Sequence, residues 1–233
     1  MGIWERLSGS IPSFPKYSNL TTFKSQNDRQ NRLNTTGLTG HIPHISAGDS
    51  LSLAHFMVLY NSISGSIPDQ MLQSSTLQTF RLSYNQASGT LPVAVAGSNL
   101  TVLDVHNNRL SGVLALDHLA GRGRLAEVQL QSNNFTGFFP QVAFTGVKHW
   151  FSFNNHLSGT FASSIGDWRS LANFMIGENL ISGVLPSTFA KLRGLAVLEL
   201  TKNKLEGDLS NLWVSKSMRS LHVQHNKLSG KQN

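Results

Sequence analysis

Apolar side chains recur along this chain in one phrase. Its fullest copy is Leu195, Leu198, Leu200, Asn203, Leu205 and Gly207, with polar or small residues between. The asparagine returns at Asn61, Asn85, Asn108, Asn133, Asn155, Asn179, Asn203 and Asn226. Each copy has an apolar residue two positions later. Each has a glycine four positions later: Gly65, Gly89, Gly112, Gly137, Gly159, Gly183, Gly207 and Gly230. The apolar sets preceding the asparagines include Leu53, Phe56 and Val58; Leu77, Phe80 and Leu82; Leu100, Leu103 and Val105. Leu125, Val128 and Leu130, then Leu171, Phe174 and Ile176, then Met218, Leu221 and Val223 repeat it. One copy is degenerate: Val147, Trp150 and Ser152 place a serine where the others have an apolar residue. Self-similarity with a period of about 24 residues predicts a solenoid.

The alternation around the second and third apolar positions predicts a short strand, apolar side chains inward and the intervening ones outward. Stacked turns would pair these strands into one parallel sheet. The asparagine amide carries two donors and an acceptor, enough to serve backbone groups of its own and neighbouring turns. That ladder would satisfy buried backbone that is otherwise costly. The glycine allows backbone angles a side chain forbids, and a proline such as Pro186 ends the second extended stretch. Phe189 and Leu192 within Ser187–Arg193, and Ile165 and Trp168 within Ser164–Arg169, predict helical or 3-10 turns on the opposite side, with Ser187 as a cap.

Eight copies in register resemble the leucine-rich repeat family. The tails Ser64-Gly65-Ser66-Ile67-Pro68, Ser88-Gly89-Thr90-Leu91-Pro92 and Ser182-Gly183-Val184-Leu185-Pro186 look like the L-x-G-x-I-P phrase of its plant-type subclass. Leu7 to Pro12 and Leu38 to Pro43 repeat that phrase near the N-terminus. The resemblance covers roughly residues 7 to 230. It implies an α/β solenoid, a right-handed superhelix with a parallel sheet on the concave face and 3-10 or irregular segments on the convex face. It also implies a receptor-like or secreted binding protein at the cell surface. The chain departs from the family in having no cysteine, whereas plant-type extracellular repeats usually carry disulfide-bearing caps.

The 233 residues fit one solenoid domain of about nine to ten turns. Residues 13–37 are the least regular: Gly9 to Gly40 is 31 residues, and an insertion over Gln26–Arg32 is expected there. Neither end shows a repeat with a polar outer face, which predicts a piece of a longer protein or ends covered by another chain. The formal charge is +7, yet only 13% of residues are charged and no basic run exceeds Arg122-Gly123-Arg124. Nucleic-acid binding is therefore not favoured. No stretch has the length of a signal peptide core or a membrane span.

In this architecture the candidate site is the concave sheet. The position between the two strand apolars reads Met57, Arg81, Asp104, Gln129, Phe151, Met175, Glu199 and His222. Two residues on it reads Leu59, Ser83, His106, Gln131, Phe153, Gly177, Thr201 and Gln224, and the next Tyr60, Tyr84, Asn107, Ser132, Asn154, Glu178, Lys202 and His225. Exposed aromatics mark binding. They select His149, Phe151, Phe153 and Met175 as one cluster, and Tyr60, Tyr84 and Arg81 as a second, with Asp104, His106 and Gln129 between them. The degenerate repeat leaves a rival arrangement open, in which Phe151 or Phe153 turns inward in place of Ser152. For the tyrosines, ordinary strand propensity is the plainer explanation.

His41-x-x-His44 and His222-x-x-His225 lack the further ligands of a metal site. No nucleophile elbow or phosphate loop is present. Sequons at Asn19, Asn34, Asn99 and Asn134 permit glycosylation without requiring it. The expected function is non-catalytic recognition of a protein, peptide or glycan, without cofactor. A structural subunit that assembles through open solenoid ends is the alternative. Ice binding ranks low, because the concave rows are mixed and charged, and an enzyme lower.

Overall fold

A computed structural model describes residues 8–13, 20–26, 37–44, 52–93, 98–209, 212 and 216–230. Nine parallel strands, in chain order, form the main sheet: Thr22–Gln26, His55–Leu59, Thr79–Arg81, Val102–Asp104, Glu127–Gln129, His149–Phe151, Asn173–Met175, Val197–Glu199 and Ser220–His222. The register is continuous, so Met57, Arg81, Asp104, Gln129, Phe151, Met175, Glu199 and His222 lie side by side. Thr22–Gln26 extends the row by one turn, placing Lys24 beside Met57. The expected insertion after Gln26 lies outside the described residues, as do Leu7, Asn19 and Asn34.

The stretch after each asparagine forms a second parallel ladder, from Gly9–Ser10 to Asn134–Thr136 and again from Ser182–Val184 to Lys227–Ser229. A single bridge, Phe138 to Ser158, spans the gap. The 3-10 turns Asp117–Arg122, Ser163–Asp167 and Ser187–Lys191 lie on the far side. Strands stack at about 4.8 Å, while the turns opposite are bulkier. The solenoid therefore curves with the main sheet on its concave face.

The asparagine ladder follows one wiring from Asn85 to Asn226. Asn155 Oδ1 accepts from Phe135 N at 2.9 Å, in the turn before. Its Nδ2 donates to Leu130 O of that same earlier turn and to Ser152 O of its own. Asn85, Asn108, Asn133, Asn179, Asn203 and Asn226 repeat this pattern. A buried amide that meets both its donors and its acceptor stabilises the backbone on each side of it. At the glycines the chain takes positive φ, +87° at Gly137. A Cβ there would lie 2.8 Å from Val113 Cγ1 of the previous turn. Both the backbone angle and the space exclude a side chain.

A feature absent from the sequence reading sits immediately before each asparagine. Tyr60, Tyr84, Asn107, Ser132, Asn154, Glu178, Lys202 and His225 all have φ between +52° and +58°. This left-handed residue turns the chain out of the strand, and a non-glycine residue there carries strain of about 1–2 kcal/mol.

The core is one spine of apolar residues. It becomes aromatic around the degenerate repeat, where Trp150 and Trp168 lie 5.1 Å apart, with Phe144 5.1 Å from Trp168. Phe139 and Phe161 pack against the same group. Ile165, Trp168, Phe189 and Leu192 are buried, as their spacing predicts. Ser187 does not cap its turn: the 3-10 segment follows Pro186 in extended conformation, with no side-chain cap bond. The proline supplies the preset backbone in place of a capping hydroxyl.

Candidate functional site on the concave sheet

The outward residues of the main sheet fall into two groups. The first begins at the left-handed residues Tyr60 and Tyr84, whose rings stack 4.3 Å apart at 16°. Tyr84 meets the edge of His106 at 4.9 Å. His106 Nδ1 donates to Asp104 Oδ1 at 2.5 Å. Asp104 Oδ2 accepts from Ser83 Oγ at 3.2 Å and from Arg81 at 3.5 Å. Arg81 continues to Glu127, donating to both carboxylate oxygens at 3.2 and 3.0 Å. Glu127 in turn accepts from the Gln129 amide. A connected ladder thus runs from Tyr60 to Gln129 across four strands.

The structure corrects one expectation here. Asp104 was expected to face the groove, but only 1% of its surface is exposed. Three donors close over its carboxylate, so the ion is satisfied internally rather than presented to a ligand. Arg81 is likewise held between two carboxylates. Glu127 escaped the sequence reading because it belongs to the outward row one pleat earlier, with His55, Thr79, Val102 and His149. Only the long reach of Arg81 across the intervening strand brings it into the site.

The second group is apolar. Phe151 and Phe153 both face outward and are half-buried, because Ser152 takes the inward position with no exposed surface. The rival inward arrangement of the phenylalanines does not occur. Phe151 lies beside Met175 in register, and its ring centroid is 6.3 Å from that of His149. The Asn173 side-chain amide hydrogen-bonds His149 Nδ1 at 2.9 Å. Gln131 lies between the two groups. It is 8% exposed, and its Oε1 has no hydrogen-bond partner among the described residues. Beyond Phe153 the row drops to Gly177. There the Glu199 carboxylate fills the space of the missing side chain and accepts from Gly177 N and Thr201 N at 2.9 Å each.

Elsewhere on this face, Glu178 holds the Lys202 ammonium above its ordinary value, through its hydrogen bond first and its charge second. No group of three metal-ligating side chains occurs among the described residues. No described helix is long and apolar enough to cross a membrane.

Comparison with known proteins agrees with this architecture. The leucine rich repeat family matches residues 99–118 and 169–228. Receptor-like protein 32 of Arabidopsis thaliana is 31% identical over 135 residues, 54% of this chain and 15% of that protein. The Arabidopsis receptor kinase HAESA ectodomain, solved with an IDA peptide hormone, superposes with a TM-score of 0.82 at 25% identity. That match covers 98% of this chain and 37% of HAESA's. The GASSHO1/SCHENGEN3 ectodomain from the same plant, solved with CASPARIAN STRIP INTEGRITY FACTOR 2, gives 0.78 at 26% identity, over 96% of this chain and 26% of that one. This chain therefore spans only a part of the length of each relative. The repeat phrase, the asparagine ladder, the paired parallel sheets and these likenesses together mark the chain as a leucine-rich repeat solenoid, similar to plant receptor-like ectodomains.

Proposed function

We propose that this chain is a non-catalytic recognition segment, outside the cell, that holds an extended peptide across its concave sheet. The observation that carries the reading is the outward patch of Phe151, Phe153 and Met175 beside a ladder that fixes Tyr60, Tyr84 and His106 in place. Half-exposed aromatic and thioether groups on a rigid sheet are the usual anchors of a binding surface. Their strands are held on both sides, so little order has to be gained on binding. The relatives solved with peptide hormones share the fold that presents such a face.

A random twelve-residue peptide library panned on the immobilised chain tests this reading. Recovered peptides should lose at least tenfold in affinity on Phe151→Ala combined with Phe153→Ala, measured by calorimetry. Equal affinity for both proteins would overturn the assignment of the site.

A further inference from the structure

Glu199 is held differently from the other carboxylates of the concave face. Asp104 and Glu127 share the Arg81 guanidinium, and His106 adds to Asp104. Glu178 bonds the Lys202 ammonium. Glu199 accepts only from neutral groups. Its Oε2 takes Gly177 N at 2.9 Å, and its Oε1 takes Thr201 N at 2.9 Å together with the Thr201 hydroxyl. No described cation forms an ion pair with it. Lys202 is engaged by Glu178, through its hydrogen bond first and its charge second, and the charge of Glu199 is the smallest influence on it. His222, beside Glu199 in register, hydrogen-bonds Ser220 Oγ at 2.9 Å.

Three neutral donors fix this carboxylate without cancelling its charge. An ionised carboxylate offers about four acceptor sites, so about one stays open, on Oε2. The side chain is half-buried, which makes a charge-assisted bond there stronger than one at the open surface.

A missing side chain sets where the carboxylate lies. Gly177 is not among the glycines at positive φ, so its backbone suits any residue. A Cβ there would lie 2.7 Å from Glu199 Cδ. The glycine provides space rather than backbone freedom. Lodged over it, the carboxylate borders the aromatic patch. Ser152 N bonds Met175 O and Asn154 N bonds Gly177 O, both at 2.9 Å. Phe153 therefore stands beside Gly177 at the strand spacing of about 4.8 Å. Met175 precedes Gly177 by two residues, on the same face. Phe153, Met175 and the carboxylate thus border one position on the sheet, apolar on two sides and negative at its end.

We infer, building on the concave peptide site proposed above, that this position recognises an arginine or lysine side chain of the peptide. Its methylene stem lies against Phe153 and Met175, and its charged head meets Glu199. The Phe153 ring adds a cation–π attraction. The chain's formal charge of +7 opposes cations in general, so a preference for one has to come from this position.

The test pans the random twelve-residue library in parallel on the whole chain and on its Glu199→Gln variant. Peptides that need Phe151 and Phe153 should be rich in arginine or lysine when recovered on the parent, and not when recovered on Glu199→Gln. One parental peptide is then synthesised with its basic residue as arginine or as the neutral isostere citrulline, and calorimetry on both proteins completes the cycle. Citrulline should cost at least tenfold on the parent and less than twofold on Glu199→Gln. Equal losses on the two proteins would overturn the inference. So would recovered peptides that need both phenylalanines yet carry no basic residue, and the concave peptide site would then survive without it. Recovery of no peptide, or of peptides indifferent to both phenylalanines, would overturn the site and the inference together. Acetylating the peptide N-terminus should cost less than twofold, and a greater loss than from citrulline would give Glu199 to a chain terminus and overturn the inference. If Glu199→Gln does not fold, Gly177→Ala replaces it, since the added Cβ displaces the carboxylate, and an undiminished citrulline loss there would overturn the inference.

Discussion

Trp150 donates its indole N–H to the hydroxyl of Ser152 at 2.9 Å, and neither side chain has exposed surface. The two lie two residues apart on the same face. The serine that seems to break the repeat is therefore the partner its oversized neighbour requires. The bond also holds the register that turns Phe151 and Phe153 outward.

Ser152→Ala leaves the indole donor buried without a partner. The expected loss is about 1–3 kcal/mol of unfolding free energy. Urea denaturation of the whole chain measures it, and an unchanged midpoint would show that the bond is dispensable.

The asparagines should differ in value along the solenoid. Asn133 is buried, and its loss strands Leu110 N, while Val105 O and Leu130 O each keep one bond, from Asn108 and Asn155. Asn226 makes the same bonds but is only half-buried. Asn133→Ala should cost roughly 1–3 kcal/mol, from the orphaned Leu110 N–H. Asn226→Ala should cost less than half as much, since water can replace its bonds. Equal losses in parallel denaturant titrations would contradict the ladder's role in shielding the backbone.

The left-handed position before each asparagine invites a conformational test. Asn107 has φ +52°. Asn107→Val should destabilise by about 1–2 kcal/mol, because a β-branched side chain is disfavoured there. Asn107→Gly should stay within a few tenths, the relief of strain offsetting the greater freedom of the unfolded chain. The ratio of the two losses reports backbone geometry directly.

His118 gives a pH dependence. Burial pushes its imidazole below the ordinary 6.5, against a smaller opposing pull from Asp117. The unfolded chain therefore takes up the proton first as pH falls. Stability should be full above 6.5 and decline as pH drops below it. Denaturation at pH 8 and pH 5 should show this decline, reduced in a His118→Phe variant. An equal decline in both proteins would assign the effect elsewhere.

Much of the fold is legible in the sequence because each turn repeats one set of local rules. The apolar spacing yields the strands, the glycines their positive φ, and the asparagine amide its ladder. Three features are hidden, each for a physical reason. The residue before each asparagine varies from tyrosine to lysine, so its shared left-handed geometry leaves no mark in residue type. Asp104 occupies an outward position by periodicity, yet Arg81 and Ser83 of the turn before and His106 of its own turn close over it. Glu127 meets Arg81 from two strands away, a contact set by side-chain reach rather than spacing. The aromatic anchors Phe151 and Phe153 were readable, but their outward direction depended on the bond between Trp150 and Ser152.

Beyond its own turn, each ladder asparagine reaches toward the turn before it and not the one after. Asn179 accepts from Leu157 N and donates to Ser152 O, and Asn203 does the same for Ile181 N and Ile176 O. The solenoid's hydrogen bonding thus has a polarity along the chain. Every added turn seals its predecessor and exposes an identical open face to its successor. Duplicating one such segment in the gene would add a coil without rewiring any other.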